Sequence, residues 1–113
     1  METVAAILFA IAAVGGLTLA AMHLRTNKPK LSVALLHGLF AASGLVVLLI
    51  AVIDHGGFGL EGAALVVFLA AALGGFALIS MHLRGKALST PLVLVHGLVA
   101  VSAFVILLVG LVA

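Results

Sequence analysis

"AAMHLRTNKPKLSVALLHGLFAASG" spans residues 20–44, and "LISMHLRGKALSTPLVLVHGLVAVSA" spans residues 78–103. Each stretch sets a short basic connector between two apolar runs. One histidine stands on either side of each connector, His23 and His37 in the first stretch and His82 and His96 in the second. Connectors this short permit only antiparallel helical hairpins. The chain therefore reads as two hairpins in tandem.

Around these connectors lie four apolar segments, residues 3–25, 31–53, 62–83 and 91–112. Each supplies the ~20 residues that a bilayer-spanning helix needs. The chain has 113 residues, 66% of them hydrophobic and 7% charged, with a mean hydropathy of +1.55. A soluble domain is typically ~45–50% apolar and cannot hide this excess. Lipid is thus the expected solvent. The remaining connector, "DHGGFGLE", is equally short. Pro29 and Pro91 mark the starts of the second and fourth segments, where a missing N–H costs little. The first segment lacks the basic start of a secretory leader and is too long for one, so it reads as a span.

Charge gives the orientation. Arg25, Lys28, Lys30, Arg84 and Lys86 are all the Lys and Arg in the chain, and all flank the first and third connectors. Glu2, Asp54 and Glu61 lie at the other ends. The positive-inside rule places the basic connectors in the cytoplasm and both termini outside, as in a bacterial inner-membrane protein. A net charge of +2 is too small for a nucleic-acid binder. The absence of cysteine excludes disulfides, thiolate metal sites, covalent haem attachment and cysteine-held iron–sulfur clusters.

An offset of 59 overlays the sequence on itself without a gap. Glu2 falls on Glu61, Phe9 on Phe68, Gly15-Gly16 on Gly74-Gly75, "MHLR" on "MHLR", "LLHGL" on "LVHGL" and Ser43 on Ser102. A unit of two helices keeps the same membrane orientation in both copies. The expected fold is an all-α membrane protein of one domain, residues 1–113. It is a four-transmembrane-helix antiparallel bundle of two tandem parallel-repeat helical hairpins, residues 2–54 and 61–113, with a pseudo-twofold axis along the membrane normal.

The four histidines then share the cytoplasmic half, about one turn (His23, His82) and two turns (His37, His96) from the connectors. Polar side chains at that depth face the bundle interior. Three readings are open. The first is axial ligation of haem, since neutral imidazole is a good iron ligand. Small residues lie one heptad deeper than each histidine: Gly16 from His23, Gly75 from His82, Gly44 from His37 and Ala103 from His96. They share the histidines' helix faces and leave room for a flat plate. Arg25 and Arg84 sit at the membrane edge, as topology anchors or as partners for propionates. The second reading is a bare metal ion on the four imidazoles, with no carboxylate or thiolate at that depth to help. The third is structural, with the imidazoles hydrogen-bonding between helices.

The paired histidines His23 with His37 and His82 with His96, with Gly16 and Gly75, resemble the four-helix transmembrane cytochromes of b type. Thirteen residues separate His23 from His37, a spacing that haem histidines also show in the respiratory cytochrome b, though here a connector intervenes. The resemblance implies haem b, one or two per chain, held by two imidazoles each. A single central haem would use one diagonal pair, His23–His82 or His37–His96. Two haems would pair His23 with His96 and His82 with His37.

Electron transfer near the cytoplasmic face follows as the expected function. The implied partners are the lipid bilayer and either a quinone or a larger redox complex, and an oligomer is compatible with both. No nucleophile or acid–base pair suggests independent catalysis. The alternative is a small transporter or scaffold subunit whose histidines are structural, or a non-haem metal site. Small multidrug transporters match only in size, because they use a membrane-buried glutamate and Glu2 and Glu61 lie at segment ends. Thr18, Ser43 and Ser102 are expected to bond their own helices. His55, which has no repeat counterpart, reads as a solvated loop residue.

Overall fold

A computed structural model describes residues 1–113. It contains four helices: α1 (Glu2–Thr26), α2 (Leu31–His55), α3 (Gly59–Leu83) and α4 (Thr90–Val112). Helices of 23 to 25 residues run about 35–37 Å at 1.5 Å per residue. All four are long and apolar enough to cross a membrane, with mean hydropathies of 2.4 to 2.8. They form an antiparallel bundle measuring 43 × 20 × 19 Å.

Local chemistry sets the ends. Asn27 takes the left-handed conformation (φ 56°) and its N–H bonds the His23 carbonyl, closing α1. Gly56 does the same for α2 at φ 73°, where a side chain would be strained. The Ser89 hydroxyl accepts from the Leu92 N–H and caps α4, with Pro91 in the first turn. The connector between α2 and α3 is shorter than the sequence suggests. Only residues 56–58 lie outside helix. The Phe58 carbonyl accepts from the Gly62 N–H at 2.7 Å, so α3 begins three residues ahead of the apolar run. The Phe58 ring lies over Gly62, where a Cβ would come within 2.8 Å of it.

In cyclic order each helix neighbours the next, so α1 faces α3 and α2 faces α4 across the centre. Packing is tighter within each hairpin than between them. The core is small: 15 of 113 residues are buried, while Leu17, Leu73 and Leu98 are about two-thirds exposed or more. Such an apolar surface suits lipid and not water. The buried cluster fills the half of the bundle away from the basic connectors. Phe9 and Phe68 stack across the α1–α3 diagonal with centroids 3.7 Å apart and planes at 6°. Ala5, Ala64, Leu48, Leu107 and Ala103 surround them. Gly44 on α2 seats the Phe9 ring, which a Cβ there would approach at 3.0 Å. The Thr18, Ser43 and Ser102 hydroxyls each donate to the carbonyl four residues back, at 2.8 Å, and so leave the interior apolar.

Candidate cofactor site

Above the aromatic floor the α1 and α3 positions that face inward are small. Ala12, Gly15 and Gly16 lie on α1, and Ala71, Gly74 and Gly75 on α3. Each set receives an imidazole from the other helix of its own hairpin. His37 reaches from α2 to α1, where its Nδ1 lies 2.7 Å from the Ala12 carbonyl. His96 reaches from α4 to α3, where its Nδ1 lies 2.8 Å from the Ala71 carbonyl.

The double glycines clear the way. A Cβ on Gly16 would stand 3.0 Å from His37 Cε1, and one on Gly15 3.3 Å from His37 Cβ. In the second hairpin a Cβ on Gly75 would stand 3.3 Å from His96 Cε1, and one on Gly74 3.4 Å from its Nδ1. The expected slot beside His23 and His82 is thus a seat for the rings of His37 and His96.

A carbonyl oxygen only accepts, so in both residues Nδ1 carries the proton and donates. Nε2 then keeps its lone pair, and neither Nε2 has a hydrogen-bond partner in the chain. The two rings face each other across the α2–α4 diagonal with centroids 6.2 Å apart and planes at 89°. Metal–imidazole bonds are about 2.0–2.1 Å, and a ring centre lies ~1 Å behind its nitrogen, so two imidazoles on opposite sides of one metal have centres about 6 Å apart. The tautomer and the all-nitrogen donor set suit a bis-imidazole centre, and the ring separation is of the size such a centre needs.

Of the two diagonal pairings that the sequence allows, only His37 with His96 is brought ring to ring. His23 turns to the α1–α4 seam, where its Nε2 lies 3.0 Å from Thr90 Oγ1. It is 3% exposed, and its Nδ1 is sealed from solvent without a partner. His82 is half-buried on α3, and the position that corresponds to Thr90 by the offset is Leu31, which has no hydroxyl. No three of these four histidines bring their ligand nitrogens within 4.8 Å of one another. Arg25 and Arg84 are exposed at the bundle end, and Arg84 Nε donates to the Ser80 carbonyl at 3.4 Å.

Two participants were not foreseen from sequence, the Ala12 and Ala71 carbonyls. Their signal was present as an alanine followed at three and four residues by glycine, once in each hairpin. No family model, no curated protein and no solved structure matches the chain.

Proposed function

We propose that the chain is an integral membrane haem protein of b type that passes electrons near the cytoplasmic end of its bundle. The observation that carries this reading is the pair of pre-oriented imidazoles, His37 and His96, with unpartnered Nε2 atoms at a ring separation of 6.2 Å. Two donors are too few for a bare divalent ion, and the interior offers no third. A tetrapyrrole brings its own four nitrogens and needs just two axial ligands.

When bound, haem supplies one-electron chemistry, and two histidines leave no open position for oxygen. The chain's own part is to hold and tune. His37 and His96 would hold the group through Nε2. The Ala12 and Ala71 carbonyls fix their tautomers and ring orientations. Gly16 and Gly75 set the ring positions. Arg25 and Arg84, exposed at the bundle end, would offer positive charge to acidic groups of the cofactor. His23, which turns to Thr90 at the α1–α4 seam, and His82 would not hold the group. A single haem is favoured over two, because one diagonal alone supplies a facing pair.

The duplicated hairpins would then be related by a pseudo-twofold axis along the membrane normal, with both termini outside and the basic connectors in the cytoplasm. A quinone or a larger redox complex would be the exchange partner, since one haem near one face cannot carry electrons across the bilayer.

The test is expression with haem supplied, followed by reduced-minus-oxidised absorption of the purified chain. Sharp b-type bands are expected, abolished in His37→Ala and His96→Ala and kept in His55→Ala. A second reading rests on the same bonds to Ala12 and Ala71. Interhelical hydrogen bonds of this kind can fasten a hairpin with no cofactor. A colourless, well-folded chain that loses stability in His37→Leu would establish that scaffold role and overturn the haem reading.

A further inference from the structure

At the end of the bundle opposite the basic connectors, Glu2, His55 and Glu61 converge from α1, α2 and α3. Their ligand atoms all lie within 4.8 Å of one another. His55 Nε2 stands 3.5 Å from Glu61 Oε1. The three line a cleft of about 490 Å³ with Gly59, Gly110 and Leu107. We propose that this trio is a binding site for one divalent cation of the zinc class, independent of the histidine pair in the bundle interior.

Several observations point the same way. The helix dipole accounts for each glutamate in the first turn of its helix. It does not account for two carboxylates from opposite corners of the bundle meeting at one point. No arginine or lysine lies at this end to neutralise them, because all five belong to the other connectors. The nearest cation is the Met1 amino group, 3.8 Å from Glu2, and Asp54 adds another carboxylate to the same rim. The imidazole of a third helix completes a mixed donor set of two oxygens and one nitrogen, which zinc accepts with water in the fourth position.

The spacing is close to what one ion requires. Donors on a tetrahedral zinc lie about 3.3 Å apart, given bonds of about 2.0–2.1 Å. The observed 3.5 Å between His55 and Glu61 is already near that value. The backbone makes room as well. A side chain at Gly59, which sits at φ 48°, would bring its Cβ within 3.1 Å of Glu61 Oε2. The Glu61 side chain is 15% exposed and so held in place, whereas His55 at 62% is free to swing in. A bound ion would tie both hairpins together where Gly56 and Gly57 link them.

The experiment uses the full chain in nanodiscs, stripped of metal by chelator and titrated with zinc sulfate by calorimetry. Cobalt(II) absorption reports the donor set. One zinc per chain is expected, with affinity at least tenfold weaker in Glu61→Gln and in His55→Ala. His37→Ala, in the other half of the bundle, should bind within about twofold of the parent. Zinc should raise the melting temperature of the parent and not of Glu61→Gln, whose helical content should be unchanged. Absence of saturable binding, or binding indifferent to both Glu61→Gln and His55→Ala, would overturn the proposal. Neither outcome depends on whether haem is bound.

Discussion

Gly16 and Gly38 both sit in helices near His37, yet their hydrogens face different surroundings. A Cβ on Gly38 would meet nothing within 4 Å. Gly38→Ala should therefore stabilise the bundle by roughly 0.5–1 kcal/mol, the usual gain in a helix interior. A Cβ on Gly16 would press on His37 Cε1 at 3.0 Å. Gly16→Ala should cancel that propensity gain and displace the ring from the Ala12 carbonyl and, on the proposed haem reading, lower the fraction of chain carrying haem. Gly75→Ala, with 3.3 Å to His96, should do the same more weakly. Thermal unfolding in one detergent, beside the b-band absorbance, orders the three variants. The pairs of glycines were legible in the sequence, but their tenant was not. Heptad spacing says which residues share a face of one helix, and so assigns Gly16 to His23. Which side chain of the neighbouring helix fills that face depends on the register between helices, and no intrahelical period encodes it.

Elements begin and end where a few polar groups permit. The Ser89 hydroxyl is the one side chain that caps a helix N-terminus, and Ser89→Ala should cost about 1 kcal/mol and fray α4 first. Hydrogen exchange at Leu92 and Val93 would report that fraying. Thr90, the next residue, has a larger task. Thr90→Val would leave a histidine that is 3% exposed with neither nitrogen partnered, at a cost of about 1–3 kcal/mol. An unfolding measurement on Thr90→Val beside the His23→Leu/Thr90→Val double variant separates the causes. Most of the loss should be recovered in the double variant, because the stranded imidazole is gone. The helix ends near proline and basic residues were readable to within about two residues, as boundaries usually are. The start of α3 was not. "GGFGLE" has the composition of a loop, and it is the Phe58 carbonyl bonding Gly62, with the ring laid over that glycine, that turns it into helix.

At the scale of the whole molecule, four apolar helices and their antiparallel order follow from hydropathy and connector length. The cross-bundle meetings of Phe9 with Phe68 and of His37 with His96 join residues related by the 59-residue offset, which sequence comparison exposes without structure. The separate roles of His23 and His82 could not be read that way, because they turn on a threonine in one hairpin where the other has leucine. Orientation rests on charge alone. Five basic residues at one end and none at the other should hold the 27–30 and 84–89 connectors in the cytoplasm, each charge resisting translocation. The chain has no cysteine, so single introduced thiols report position cleanly. Gly57→Cys lies in an open turn where a Cβ meets nothing within 4 Å, and Ala87→Cys lies in the exposed second basic connector. In intact cells an impermeant maleimide should label Gly57→Cys and spare Ala87→Cys until the membrane is opened. The reverse pattern would put the basic ends outside and move the histidine pair to the outer half of the bilayer. A quinone or redox complex would then have to reach the proposed haem from the opposite side.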